Sequence, residues 1–148
     1  MDWTVTPHLL PLAAAYLLAF PIGWNREREA RSAGLRTFPL VAVATCGFIQ
    51  GTEHITAGHP EAMARIVEGL ITGMGFVGGG AILRLQNSVK GTATAASLWI
   101  TGAIGVCAGM AAYDVAAMLS FITVVTLWPL PPLKRLTRDQ DGDEEREE

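Results

Sequence analysis

Charge is missing from two long stretches of this 148-residue chain, residues 69–83 and 93–113. Surfaces in water normally carry Lys, Glu, Asp or Arg every few positions. Stretches this long without them are expected to face protein or lipid. Cysteine is scarce. Cys46 and Cys107 both lie within apolar runs, which excludes a disulfide framework and predicts free, buried thiols. The three histidines, His8, His54 and His59, lack the spacing of metal ligands; they are read as neutral side chains near the outer face. No nucleophile–base pair suggests hydrolysis, so no enzymatic activity, cofactor or nucleic-acid partner is expected. The first 24 residues have no basic leader, so their apolar run is read as a retained span and not a cleaved signal.

The remaining composition divides sharply. Half of the residues are hydrophobic, while charges gather at 26–36 and 134–148. The net charge of −3 comes largely from the tail, where seven of the fourteen acids lie from Asp139 onward. That tail begins like a Ca²⁺ loop, DQDGDEE, but ends before the glutamate required at loop position 12, so it is read as a solvated segment. Five apolar segments precede it: 8–24, 37–51, 62–83, 93–112 and 115–130. A helix rises 1.5 Å per residue, so about 20 residues cross a bilayer core of roughly 30 Å. The expected fold is an all-α integral membrane bundle of five transmembrane helices at 1–133, followed by a charged, disordered cytoplasmic tail at 134–148. The second segment is short for a full crossing. A turn at Tyr113–Asp114 is expected to join the last two segments.

Basic residues set the orientation. Arg26, Arg28, Arg31 and Arg36 lie between segments one and two, Arg84 and Lys90 between three and four, and Lys134, Arg135, Arg138 and Arg146 in the tail. The N-terminus, the 52–61 loop and the Tyr113–Asp114 turn have none. Ten of eleven basic residues thus fall on one side, which the positive-inside rule makes cytoplasmic. The N-terminus is then outside and the C-terminus cytoplasmic, as five crossings require. Trp24 and Trp128 fall at the cytoplasmic ends of their segments, where interfacial aromatics belong.

The third segment carries six glycines, Gly69, Gly73, Gly75, Gly78, Gly79 and Gly80. In a soluble helix each costs about 1 kcal/mol against alanine; in a membrane small residues let helices approach closely. Gly69/Gly73 and Gly75/Gly79 are both G-x-x-x-G pairs on different sides of the helix. That places the segment at the centre of the bundle. GMGFVGGG is no dinucleotide fingerprint, because no strand precedes it.

Three stretches, GLRTFPLV (34–41), GMGFVGGGAIL (73–83) and GTATAASLWITGAIGVCAG (91–109), resemble the MgtC/SapB family of bacterial inner-membrane proteins. The matches occur in family order and span residues 26–112. The resemblance implies a role in growth under low magnesium, restraint of the F-type ATP synthase through its membrane sector, and intracellular survival in pathogens. It also implies, for many members, a cytoplasmic C-terminal domain of ACT-like fold. This sequence has only the charged tail after its spans, so the membrane domain alone is carried over. Phe38–Pro39 stands where the family pattern has a histidine, so no role of that histidine transfers.

Arg65 matches the arginine that opens the family's glycine motif, and Glu68 is its i,i+3 neighbour, able to pair with it. Ionisable groups in a span cost about 2.5–3.5 kcal/mol and usually face the bundle interior. The pair is read either as a proton- or cation-responsive site, as a partner contact, or as two side chains snorkelling to the interface. Arg36 and Thr37 close the GLRT motif, where Arg36 serves as a positive-inside anchor or binds lipid phosphate or the loop of Asn87 and Lys90. Thr92, Thr94 and Ser97 can cap the fourth segment or bond across helices. Trp99 packs against the third segment or touches a partner. Gly102, Gly105 and Gly109 continue a small side along the fourth segment. Together with Gly69, Gly73, Gly75 and Gly79 they predict a non-enzymatic regulator that contacts a membrane partner, the F-type ATP synthase sector or another protein, or forms a homo-oligomer. The alternative is a Mg²⁺ or proton transporter or channel subunit. Against it, Mg²⁺ needs several oxygen ligands, and the spans offer one carboxylate per chain, Glu68, which an oligomer would multiply.

Overall fold

The computed structural model describes residues 6–29, 33–85 and 88–128. The charged tail, Arg31, Asn87 and the end of the fifth segment lie outside them. The described chain is mostly helical, with element order α1 (Thr6–Arg28), α2 (Thr37–Gly51), α3 (Glu53–Thr56), α4 (Pro60–Gly80), β1 (Leu83–Leu85), β2 (Ser88–Lys90), α5 (Thr92–Gly109) and α6 (Tyr113–Leu127). The five apolar segments coincide with α1, α2, α4, α5 and α6. The apolar runs form helices because no polar break interrupts them. The charged and glycine-containing joints end them.

Two helices, α1 and α5, are long and apolar enough to cross a membrane; α2 and α6 are shorter apolar helices. Helix α1 runs through Pro11 and Pro21. Pro21 has no N–H and leaves the carbonyl four residues earlier, on Leu17, without its helical donor. The adjacent carbonyl of Leu18 accepts a 2.7 Å bond from the Ser120 hydroxyl of α6, so a neighbouring helix supplies polar contact where the proline disturbs the ladder. Arg26 and Arg28 occupy the last turn of α1, where cations complement the helix dipole.

The central helix is α5, which packs on α1, α2, α4 and α6. This corrects the placement of the glycine-rich third segment at the bundle centre. Helix α4 buries only Met74 and Gly78. The main core cluster includes Ile22, Phe38, Met74, Leu98, Ile104 and Ala116, packed round α5, with Ala15, Ala19, Ala42, Cys46 and Ala108 forming a second cluster between α1, α2 and α5. A helix glycine-rich on every side can lie between neighbours, but it buries little side-chain area. A helix apolar on every side, as α5 is, gains most from being enclosed.

Two joints differ from the sequence reading. The third segment ends at Gly80, not at residue 83. Leu83–Leu85 instead pairs antiparallel with Ser88–Lys90, with Leu83 opposite Lys90. The turn between α5 and α6 is Met110–Ala112, and Tyr113–Asp114 begin α6. Ala111 sits at φ 60°. Ala112 N–H donates to Cys107 O at 2.9 Å and Ala111 N–H to Ala108 O at 3.1 Å, which is the bond pair of a Schellman cap.

Candidate functional site

The GLRT motif is a bracket between α1 and α2. Thr37 N–H and Phe38 N–H both donate to Gly34 O, at 3.0 and 3.2 Å, starting α2. The Glu27 carboxylate of α1 accepts the Leu35 N–H at 3.0 Å. Gly34 packs directly on that carboxylate, and a Cβ on Gly23 would meet Gly34 O, Leu35 Cα and Phe38 Cβ at 3.3 Å each. Phe38 and Pro39 are buried, whereas Arg36 is exposed and Thr37 half-buried. Arg36 thus projects from a fixed base without being part of it.

The same end of the bundle gathers positive charge. Arg26, 3% exposed, bonds Asn25 Oδ1 through Nε at 3.1 Å and Nη2 at 2.7 Å and pairs with Glu29 at 3.2 Å. It lines one small pocket with Lys90 of the hairpin and Thr92 and Thr94 at the start of α5. Gly91 precedes α5 at φ 93°, and no side chain caps the helix. Thr92 is exposed and Thr94 buried, so neither serves as the expected cap. In the sequence Arg26 is one of several arginines between two apolar segments. It is buried and shares a pocket with the hairpin, which the sequence did not suggest.

Along α5 the glycines are consumed inside the molecule. Gly102 faces Met74 of α4, whose Cγ would lie 2.8 Å from an added Cβ. Gly105 faces Thr45 Oγ1 and the Ala42 carbonyl of α2, with no room for a methyl group. Gly109 faces Ile49 and the Cys46 carbonyl, at 2.8 and 3.0 Å from an added Cβ. The Gly105/Gly109 pair therefore joins α5 to α2, and the α4 contact is made at Gly102 and by Gly78, which approaches Ala95 O. Trp99 is half-exposed and borders an apolar cleft of about 140 Å³ with Val67, Ile71 and Met74 of α4.

Helix α4 presents the opposite arrangement. A Cβ added at Gly69, Gly73, Gly75 or Gly79 would meet nothing within 4 Å. Arg65 and Glu68 are exposed on this outward side. Among the described residues they make no ion pair with each other, and both side chains are exposed on the side of α4 away from α5. Phe76 stands 86% exposed between them and the hairpin end. Large apolar side chains are also exposed on the other helices, among them Leu10, Leu17, Leu40, Phe48 and Phe121. Soluble monomers rarely expose apolar surface so extensively.

A helical bundle with an apolar exterior and basic residues gathered mostly at one end fits the helical membrane class. The MgtC family profile matches residues 12–136, and the chain belongs to that family. It is 38% identical over 116 residues to the Salmonella typhimurium protein MgtC, covering 78% of this chain and 49% of that protein. It is 35% identical to Protein SrpB of Synechococcus elongatus, covering 84% and 75%, and 34% identical to the Synechocystis protein slr0014, covering 95% and 58%. The chain thus spans about half to three-quarters of the length of these relatives. No solved structure matches it.

Proposed function

We propose that this protein is a non-enzymatic regulator in the bacterial inner membrane that acts by helix–helix contact with another membrane protein. The carrying observation is the contrast between the two glycine-rich helices: α5 has its glycines filled by neighbours, and α4 leaves Gly69, Gly73, Gly75 and Gly79 uncovered. Glycine in a helix is unfavourable unless close approach of another backbone compensates for it.

In this reading all five long helices cross the bilayer, with the N-terminus outside and the C-terminus cytoplasmic. Collection of Arg26, Arg36 and Lys90 at one end supports that orientation. Family membership favours a role in magnesium physiology. The resemblance implies the membrane sector of the F-type ATP synthase as the partner class. A transport path through a single chain is disfavoured, because Glu68 faces outward and away from the bundle interior.

The test is capture of the tagged protein from gently solubilised native membranes. A stoichiometric membrane partner, lost on Gly73→Leu while the fold is retained, supports the proposal. Cation flux through the reconstituted protein with no partner, abolished by Glu68→Gln, contradicts it.

A further inference from the structure

We infer that α4 also pairs with α4 of a second copy of this chain, Arg65 of each copy meeting Glu68 of the other and Phe76 of each seated between Gly75 and Gly79 of the other. This goes beyond the partner contact proposed above. It uses the Arg65–Glu68 side of α4 and leaves the Gly69/Gly73 side for a different helix.

Three features of the outward side of α4 fit its own copy. First, Thr72 is exposed at the middle of this side, and at 100° per residue it marks a seam with Arg65 and Phe76 on one flank and Glu68, Gly75 and Gly79 on the other. Second, the charges are complementary about that seam. At 100° per residue Arg65 and Glu68 are about 60° apart, so the seam passes between them. Neither has an ion-pair partner among the described residues. Copies of one membrane protein insert with the same orientation, so a two-fold axis between them runs along the membrane normal and sets like helices parallel. Such an axis brings each arginine opposite the other copy's glutamate at nearly equal depth. A different partner would need its own acid and base at matching depth; a second copy carries them already. Third, the shape is self-complementary. Phe76 is an isolated knob, 86% exposed. It lies on one side of the seam. Gly75 and Gly79 lie on the other, open to 4 Å, at the depth where the opposite phenylalanine arrives.

The experiment uses full-length chains carrying two different tags, co-expressed in bacterial membranes, with proximity read by fluorescence transfer in the membrane and co-capture in mild detergent. Wild-type copies are expected to associate. Arg65→Glu copies, or Glu68→Arg copies, lose self-association by about tenfold or more, because like charges then face each other. An Arg65→Glu copy co-expressed with a Glu68→Arg copy recovers it, since every facing pair is again opposite in sign. That recovery also shows that both variants fold. Wild-type transfer no greater than random collision, association indifferent to charge reversal, or loss without recovery in the mixed pair each overturns the inference. Capture of a different membrane protein that survives the charge reversals but not Gly73→Leu leaves the proposed function standing by itself.

Discussion

The side-chain amide of Gln50 in α2 donates to the carbonyl of Gly109 at the end of α5, 3.0 Å away and 59 positions along the chain. Its oxygen lies 2.6 Å from Nδ1 of His8 in α1, which places the histidine proton on Nδ1. One residue thus joins three helices at the end opposite Arg26 and Arg36. The last carbonyls of a helix have no intrahelical donor, and Gln50 supplies one. Gln50→Leu is expected to lower stability by about 1–2 kcal/mol. The check is thermal unfolding in detergent, read against Gln50→Glu, which can still accept from His8 but cannot donate to Gly109.

The glycines of α4 and α5 should respond oppositely to a single methyl group. Gly105→Ala drives a Cβ into Thr45 and the Ala42 carbonyl and is expected to cost about 1–3 kcal/mol, as overpacking does. Gly69→Ala meets nothing and is expected to be neutral or stabilising by up to about 1 kcal/mol. Parallel unfolding midpoints of the two variants decide this. Equal destabilisation would show that α4 is as enclosed as α5.

The cap after α5 is built on the wrong residue for its backbone. Ala111 is left-handed at φ 60°, a conformation that costs an L-residue roughly 1–2 kcal/mol and glycine almost nothing. Ala111→Gly is therefore expected to raise stability by about 0.5–1 kcal/mol after the added freedom of the unfolded glycine is offset. A rise in unfolding temperature checks it.

The helices were legible because apolar runs bounded by charge leave few alternatives. Segment 37–51 and helix α2 have the same ends, and Arg26 to Arg36 mark a joint. Which helix is central was not legible. Glycine at Gly69 and glycine at Gly105 look alike in sequence, and only the position of α2 separates a filled site from an open one. The pairing of Leu83–Leu85 with Ser88–Lys90 was hidden because a three-residue strand is too short for alternation to register. The tie of His8, Gln50 and Gly109 joins residues far apart in sequence, each ordinary in its own segment. The GLRT motif was visible, but its purpose as a bracket needed Glu27, whose carboxylate reaches Leu35 from the preceding helix.

Site-directed photo-cross-linking reads whether the uncovered side of α4 meets protein or lipid in the membrane. A photoreactive residue is placed at Gly73 on α4 and, for comparison, at Phe121 on α6, which is also exposed, and both proteins are irradiated in native membranes. A discrete protein adduct is expected from position 73 and lipid adducts from position 121. Lipid adducts alone from position 73, or a protein adduct from 121 and none from 73, would contradict the proposed helix–helix contact.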